Sequence, residues 1–341
     1  MSLHQTFTKS KEFDGPLIMD GGMATELQST HGKNLSTDLY SSEYLYKDPN
    51  AIRNVHLSYF RAGADICLTC SYQAWVAGFI KNGFSEDQAK ELMLRSIQLA
   101  SEARDTFWSE YLSNNDSINN NSKKRIKPLI ALSIGPYGAT LANGSEYTGD
   151  YGTISDEELR EFHESRLRVY RSEFSRVDFI AFETVPSLHE AKIICQVLSN
   201  MEKDESLPPC WISFSCKDGT RISHGELIVK CVEAICSSKA NSLVFGIGVN
   251  CTNPKFIAQL IQKIRQTLDL FNDNKWVLCY PNGGNEWDPV TNDWDINSGV
   301  SADVFAEYAR KWVKNDSKVA VGGCCKTTPE YIEKIRNQIF E

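Results

Sequence analysis

The sequence predicts one domain that folds as a (β/α)8 barrel of the TIM type. Three observations lead to this fold: eight short apolar segments occur along the chain, a helical pattern follows each of them, and 341 residues suffice for eight such units. An open, doubly wound sheet is the alternative. It is disfavoured because no G-x-G-x-x-G motif follows the first strand.

The eight strands are predicted from short apolar runs that end in polar residues or glycine. Because these runs alternate with amphipathic helices, they predict a parallel sheet. In chain order the predicted strands are residues 16–19, 64–68, 128–134, 177–182, 211–215, 243–250, 275–280 and 318–321.

Several helices have recognisable N-terminal signals. Asp48 and Pro49 have the form of an N-cap and a first helical residue, and Gly63 is expected to stop this helix after Ala62. Further helices are expected to begin at the capping boxes 85–88 and 155–158, at Ser187 with Glu190, at Asn253, at Ser301 and at Thr328.

Two long polar segments interrupt this pattern. Residues 113–127 are polar and low in complexity, and we expect a mobile surface loop there. It is not interpreted as a linker between domains, because strands and helices alternate again after it. Residues 281–298 form the second polar loop. The whole chain, 1–341, is therefore expected to be one barrel domain.

Composition limits the classes of function. The formal net charge of −8 and the pI near 5.4 argue against a nucleic-acid-binding protein, which needs a basic face. No apolar run reaches the length of a membrane span, and the polar N-terminus lacks the apolar core of a signal peptide. Eleven cysteines, an odd number, favour reduced thiols in the cytoplasm over a secreted disulfide framework.

Polar and thiol side chains are concentrated at the predicted strand ends. In a (β/α)8 barrel, catalytic residues lie at the carboxyl ends of the strands. These side chains are therefore expected to converge on one rim of the barrel. They are Asp20, Thr69 with Tyr72, Glu183, Asn250 with Cys251, and Cys324 with Cys325.

The three cysteines of this set predict a zinc site. Cys251, Cys324 and Cys325 follow two strands, and three thiolates can hold one Zn²⁺ while its fourth position stays open, as in catalytic zinc sites. Buried, inert cysteines are one alternative. A structural zinc is another, but it would need a fourth protein ligand, for which Cys279 is the candidate.

Other chemical motifs are weaker. Cys67 and Cys70 form a C-x-x-C motif that falls in a predicted strand, so Cys67 is expected to be structural and Cys70 to be structural or to line the pocket. The six histidines include no H-x-H or H-E-x-x-H motif, which disfavours a histidine-ligated hydrolase. Residues 148–153 (TGDYGT) are expected to form a flexible lid or a plain loop rather than a phosphate site.

Six segments together match a known family, in the family's own order. They are residues 19–26 (MDGGMATE), 69–74 (TCSYQA), 182–184 (FET), 248–251 (GVNC), 280–284 (YPNGG) and 322–325 (GGCC). With these segments, which span nearly the whole chain, the sequence resembles the homocysteine S-methyltransferase family of zinc-dependent barrels. The pair G-V-N-C and G-G-C-C is the specific element of the resemblance.

The resemblance implies a reaction. Cys251, Cys324 and Cys325 would bind one Zn²⁺ per chain, and the homocysteine sulfur would be the fourth ligand. Zinc would deprotonate this thiol and leave it electron-rich, so that it attacks the methyl group of a cationic donor and forms methionine. No catalytic residue beyond the zinc site is implied.

The resemblance also implies where homocysteine binds. Asp20 and Glu183 would hold its amino group, and the amides that follow Asp20, together with Thr69, would meet its carboxylate. The predicted substrate-binding residues are Asp20, Gly21, Gly22, Thr69, Tyr72, Glu183 and Asn250.

For the methyl donor, the resemblance favours S-methylmethionine or S-adenosylmethionine. Residues 280–288 resemble the sulfonium-using branch of the family. The chain ends soon after Cys325, without the extension by which betaine enzymes oligomerise, so we expect a monomer or a weak oligomer. An aromatic rim is expected to bind the sulfonium by cation–π contact. Its candidate members are Tyr72, Trp75, Tyr280 and Trp287.

Three rival interpretations stay open at this point. Betaine is an alternative donor, and selenohomocysteine is an alternative acceptor. A thiol-based redox or zinc sensor, in which Cys324 and Cys325 form a disulfide, is the alternative outside enzymology. A sensor gives no role to Asp20 and Glu183, whereas an amino-acid substrate does. No nucleic acid, membrane or cobalamin partner is expected.

Overall fold

A computed structural model describes residues 13, 15–35, 37–115, 125–201, 204, 206–288, 293–295, 298–314 and 316–340. The strands in this part of the chain are β1 Leu17–Ile18, β2 Ile66–Leu68, β3 Leu129–Ile134, β4 Phe179–Val185, β5 Cys210–Phe214, β6 Val244–Asn250, β7 Trp276–Tyr280, β8 Glu286–Asp288, β9 Asp293–Asp295 and β10 Val319–Val321.

Eight of these strands form a parallel barrel. They are hydrogen-bonded in the order β1-β10-β7-β6-β5-β4-β3-β2. A parallel bridge between Met19 and Ile66 joins β1 to β2, and the Asp20 N–H donates to the Ile66 carbonyl at 3.0 Å. This bridge closes the sheet. The predicted (β/α)8 barrel is therefore confirmed, and the open sheet is ruled out.

Helices surround the barrel between successive strands. They are α1 Met23–Ser29, α2 Tyr44–Lys47, α3 Pro49–Ala62, α4 Val76–Lys81, α5 Glu86–Asn115, α6 Tyr137–Thr140, α7 Asp156–Tyr170, α8 Leu188–Asn200, α9 Ile228–Cys236, α10 Ile257–Leu270, α11 Ala302–Trp312 and α12 Pro329–Phe340. None of these helices has the length and apolar character that crossing a membrane would require.

The predicted helix signals are present in the structure. The Asp48 carboxylate accepts the Ala51 N–H at the start of α3, and Gly63 ends this helix with a φ of +119°. The capping boxes at Ser85 and Ser155 are both formed. Side-chain caps also start the helical segments that follow Ser187, Asn253 and Ser301.

The strands separate two apolar layers, because alternate side chains point to opposite faces. The layer inside the barrel includes Met19, Ile66, Ala131, Phe179, Trp211, Leu278 and Ala320. The larger layer between strands and helices takes the other face of each strand, for example Ile18, Cys67 and Cys279. The interior is thus filled with side chains, and the carboxyl ends of the strands are left to form a site.

Three details differ from the sequence prediction. Strand β4 continues to Val185, three residues further than predicted, and its register with β5 shifts between Phe182 and Val185. The polar loop 281–298 contains an antiparallel ribbon of β8 and β9. Helix α5 runs to Asn115, into the predicted loop 113–127, and residues 116–124 of that loop lie outside the described residues.

Candidate metal centre and substrate site

Three cysteines meet at the carboxyl end of the barrel. Cys251 follows β6, and Cys324 and Cys325 follow β10. Their sulfur atoms all lie within 4.8 Å of one another, and all three residues are half-buried. The Cys251 and Cys324 sulfurs are in disulfide contact, and the Cys325 sulfur lies 4.0 Å from that of Cys324.

The loop that carries Cys324 and Cys325 is held by backbone hydrogen bonds on two sides. On one side, the Cys324 N–H donates to the Pro281 carbonyl at 2.8 Å, and the Cys325 carbonyl accepts the Gly283 N–H at 2.8 Å. On the other side, the Gly323 N–H donates to the Asp20 carbonyl at 2.9 Å. The loop is thus fixed between the ends of β7 and β1.

The glycine before this loop is required by close packing. A Cβ atom on Gly322 would lie 2.6 Å from the Met19 Cβ and 2.7 Å from the Asp20 carbonyl oxygen. Contacts this short do not occur between real side chains and backbone. Only glycine lets β10 approach the end of β1 this closely.

Cys251 is held by its neighbours rather than by a loop. Asn250 accepts the Thr184 N–H at 2.8 Å, donates to the Thr184 hydroxyl at 2.7 Å and donates to the Cys251 sulfur at 3.5 Å. Cys251 and Thr184 both adopt positive φ, at +45° and +60°. Such conformations cost on the order of 1–3 kcal/mol each, and they persist where the surroundings fix them, as at functional sites.

The three cysteines fit a metal ion by their chemistry. Thiolates suit a borderline-soft ion such as Zn²⁺, and three protein ligands leave one coordination position for a substrate. Cys279 does not supply a fourth ligand: it is buried in the layer between strands and helices, and its thiol contacts the Ala320 carbonyl at 3.7 Å. A structural site with Cys279 as fourth ligand is therefore ruled out.

Glu183 lies inside the barrel mouth, near the end of β4. Its carboxylate accepts a hydrogen bond from the Ser133 hydroxyl and is hydrogen-bonded to the Tyr280 hydroxyl. Tyr280 is itself buried and bonded to Trp211 and Ser213. Burial raises the pKa of Glu183 to about 7, against the opposing effect of its hydrogen bonds. A bound cation would favour its charged form.

Asp20 is the second buried carboxylate of the site. One of its oxygens accepts the Leu68 N–H at 2.9 Å, and the other, also buried, has no hydrogen-bond partner among the described residues. The carboxylate lies within 4.8 Å of the ligand atoms of His56 and Cys67. Burial raises its pKa well above the usual range, and the nearby Glu183 raises it further. Among the described residues, neither carboxylate forms an ion pair with a basic side chain.

Three other predicted substrate residues make contacts within the fold. The Thr69 hydroxyl lies 2.6 Å from that of Ser71 and accepts the Ser133 N–H at 3.0 Å. The Gly22 N–H donates to the Thr327 carbonyl at 3.1 Å. A Cβ atom on Gly21 would come within 2.9 Å of the Thr327 hydroxyl oxygen. Gly21 and Gly22 thus pack the end of β1 against the cysteine loop, and Thr69 joins the end of β2 to β3.

The predicted aromatic rim has a different composition in the structure. Tyr72 lies at the site, where its hydroxyl is hydrogen-bonded to Thr184. Tyr280 is at the floor rather than the rim, and Trp75 packs edge-on against Phe162, with ring centroids 6.1 Å apart. The Trp287 side chain lies outside the described residues.

Two residues of the site were not predicted from the sequence. Glu146 and Tyr147 belong to a 3₁₀ turn, Ser145–Tyr147, in the loop after β3. The Tyr147 hydroxyl is hydrogen-bonded to Cys325. The nearby Glu146 carboxylate raises the pKa of the same thiol by charge repulsion. Their signal in the sequence is an acid next to an aromatic residue in a strand-to-helix loop, just before the segment 148–153.

The structure also decides between the two roles considered for Cys70. Its thiol contacts the Ser41 carbonyl at 3.5 Å, and the residue packs in the layer between strands and helices, as Cys67 does. Burial raises the pKa of Cys70 to about 12 and that of Cys67 well above its usual range. Both are structural cysteines, and of the two alternatives for Cys70 the structure supports the structural one.

Comparison with known proteins gives a consistent result. A family model described as homocysteine S-methyltransferase matches residues 17–339. Homocysteine S-methyltransferase 2 of Zea mays is 40% identical over 326 residues, which cover 95% of this chain and 90% of that protein. Selenocysteine Se-methyltransferase of Brassica oleracea is 39% identical over 336 residues, with 96% and 90% coverage.

A solved structure has the same architecture. The metallated form of the homocysteine methyltransferase MmuM from Escherichia coli superposes with a TM-score of 0.76 at 31% identity, covering 98% of this chain and 99% of that one. The similarity thus extends over the whole barrel, including the two strand ends that carry the cysteines.

Proposed function

The chain belongs to the homocysteine S-methyltransferase family, a family of methyltransferase enzymes, and on this premise we propose its reaction. It transfers a methyl group from a sulfonium donor, S-methylmethionine or S-adenosylmethionine, to the thiolate of homocysteine. The product is methionine. Cys251, Cys324 and Cys325 hold one Zn²⁺ per chain.

One observation carries the proposal. Three cysteines from two separate strand ends bring their sulfur atoms within 4.8 Å of one another on the face of the barrel where substrates bind. When bound there, Zn²⁺ supplies a positive charge that deprotonates the homocysteine thiol at neutral pH and fixes the position of its sulfur. The rest of the chemistry depends on residues of the chain.

The transfer itself needs no proton donor or acceptor at carbon. The thiolate sulfur supplies an electron pair to the methyl carbon, and a C–S bond forms. The bond between this carbon and the donor's positive sulfur breaks, and its electron pair stays on that sulfur. The donor leaves as a neutral thioether. Catalysis by the chain therefore consists of binding the two substrates in line.

Asp20 and Glu183 bind the amino group of homocysteine in this proposal. Both carboxylates are buried and close enough to interact electrostatically, and burial raises the pKa of each. Neither forms an ion pair within the described part of the chain. The substrate's ammonium group provides a cation. Its binding fixes the amino acid at the end of β1 and β4, with its thiol free to reach the cysteines.

A single assay tests the reaction and the donor class. Purified, reduced and zinc-loaded protein is incubated with homocysteine and, in parallel, S-methylmethionine, S-adenosylmethionine or betaine, and methionine is measured. We expect methionine from a sulfonium donor, loss of activity when zinc is chelated, and recovery when it is restored. Methionine from betaine alone would overturn the donor class. No methionine from any donor, at one zinc per chain, would overturn methyl transfer.

A selenol acceptor is a second candidate, favoured by the selenocysteine Se-methyltransferase relative at 39% identity. A selenol is more acidic than a thiol and would bind the same three-cysteine site. Competition between homocysteine and selenohomocysteine in the same assay measures the preference. We expect both to be methylated, because the same three-cysteine site would bind either acceptor.

A further inference from the structure

The loop after β3 covers part of the barrel mouth. Its 3₁₀ turn, Ser145–Tyr147, packs on β4, and the Ser215 hydroxyl at the end of β5 donates to the Glu146 carbonyl at 3.3 Å. Gly138 lies directly beneath: a Cβ atom there would be 2.6 Å from the Glu146 backbone nitrogen. The turn is therefore held at the carboxyl ends of β4 and β5.

Within this turn, Glu146 has an unused carboxylate oxygen. Its Oε2 atom is buried and has no hydrogen-bond partner in the described part of the chain, and no ion pair to Glu146 occurs there. The carboxylate is otherwise bonded only to its own backbone N–H. A buried carboxylate oxygen without a partner is costly, so a charged partner is expected from outside the chain.

Electrostatic interactions connect Glu146 with the cysteine site. The neighbouring Tyr147 is hydrogen-bonded through its hydroxyl to Cys325, although its ring is 41% exposed. Tyr72 interacts electrostatically with Glu146, with Tyr147 and also with Glu183. Glu146 is thus close enough to Cys325 and to Tyr72 to interact electrostatically with both, and Tyr72 interacts in the same way with the carboxylate proposed for homocysteine.

We infer that Glu146 binds the positively charged sulfur of the methyl donor, with Tyr72 and Tyr147 as aromatic neighbours. This assignment rests on the proposed methyl transfer. A sulfonium has no N–H or O–H to donate, so its charge is matched by a carboxylate and by ring faces. The charge disappears when the methyl group leaves. Glu146 therefore favours the donor over its thioether product and acts on KM for the donor more than on kcat.

The test compares two ligands that differ in this charge. Binding of S-methylmethionine and of methionine to the zinc-loaded protein is measured by calorimetry without homocysteine, for the wild type and for Glu146→Gln. We expect the variant to bind S-methylmethionine about 10- to 100-fold more weakly, and methionine less than about threefold more weakly. An equal loss for both ligands, or no loss for either, overturns the assignment.

Two further variants control for charge and for folding. Glu157→Gln makes the same charge change at an exposed position of α7, where the residue pairs with Arg160, and should leave both affinities unchanged. Glu146→Asp keeps the carboxylate and should keep the preference for the sulfonium. If it loses the preference while zinc content and unfolding temperature stay normal, the assignment is wrong.

The outcome is separable from that of the proposed reaction. If the wild type makes no methionine from a sulfonium donor, the proposed function fails. If the wild type makes methionine and Glu146→Gln has an unchanged KM for the donor, only the role of Glu146 fails.

Discussion

The two sides of the site are built from different parts of the barrel. The proposed acceptor side consists of the three cysteines with Asp20 and Glu183, all at strand ends. The proposed donor side consists of Glu146, Tyr147 and Tyr72, which lie in loops after β2 and β3. The acceptor side is fixed by strand register and by backbone hydrogen bonds. The donor side is attached to the barrel through a short turn.

The two sides require different accuracy in the positions of their atoms. Binding a metal requires that three sulfur atoms keep their places within tenths of an ångström, and strand ends on a closed barrel provide this rigidity. Recognition of a diffuse positive charge tolerates more movement. Substitutions on the acceptor side are therefore expected to cost more than substitutions on the donor side.

The largest effect is expected from Cys324→Ser. The change removes one of three thiolates, so zinc is lost and methionine formation falls on the order of 10³-fold or more. Zinc content by mass spectrometry and the methyl-transfer assay measure both effects. Cys279→Ser is the matched control, because Cys279 lies in the outer apolar layer. If Cys324→Ser keeps its zinc and activity, the catalytic-zinc account is wrong.

A smaller effect is expected from Asn250→Ala. This change removes the two hydrogen bonds to Thr184 and the one to Cys251, which hold Cys251 in its positive-φ conformation. We expect about 10- to 100-fold weaker zinc binding, measured by competition with a chelator. Asn200→Ala, at an exposed position where the side chain contacts only Glu164, is the control. Equal zinc affinity in both variants would show that Cys251 needs no such support.

Glu183→Gln is expected to change the pH dependence of homocysteine use. The pKa of Glu183 is raised to about 7, so its carboxylate becomes charged as the pH rises through 7. Only the charged form pairs with the substrate's ammonium, and kcat/KM for homocysteine should rise over this range in the wild type. The variant should lack this rise with pH, and its kcat/KM at pH 8 should be about tenfold lower. A wild-type profile retained in the variant would contradict the assignment.

The same substitution has a predictable effect on stability. A carboxyl whose pKa is raised in the folded state binds more protons there than in the unfolded chain between about pH 4.5 and 7. Its contribution to the free energy of unfolding therefore decreases as the pH rises through this window. In Glu183→Gln, the free energy of unfolding measured by denaturant titration should therefore decrease less over this pH range than in the wild type.

The smallest effect is expected from Tyr147→Phe on the donor side. The change removes one hydroxyl that contacts Cys325 and keeps the ring. We expect full zinc content and a loss of less than about tenfold in activity, as for one hydrogen bond. If Tyr147→Phe loses more zinc affinity than Asn250→Ala does, the comparison is reversed. The loop would then contribute more to metal binding than the strand end does.

Much of the fold could be predicted from the sequence. Strands such as Val244–Asn250 are apolar runs with few alternatives, and helix limits such as Pro49 and Gly63 follow from local backbone chemistry. The extension of β4 to Val185 and the ribbon β8–β9 were missed. Both contain polar residues, and their strand pairing depends on a neighbouring strand rather than on a local periodic pattern.

The site was predictable where it depends on strand ends and not where it depends on loops. Cys251 and Cys324 were placed together because parallel strands end on one face. The position of Glu146 depends on how a loop of about 20 residues folds back over β4, and the sequence contains no periodic signal for that path. The role of Cys70 could not be decided from the sequence for a similar reason: it lies just past β2, where period-2 alternation no longer applies.

The most direct test of the account is X-ray absorption at the zinc edge, on reduced protein loaded with one zinc per chain, before and after homocysteine is added. The account predicts three sulfur ligands and one lighter atom in the free protein, and four sulfur ligands with homocysteine. Unchanged coordination on addition of a saturating amount of homocysteine would contradict it, because the acceptor sulfur would then not bind at the three cysteines.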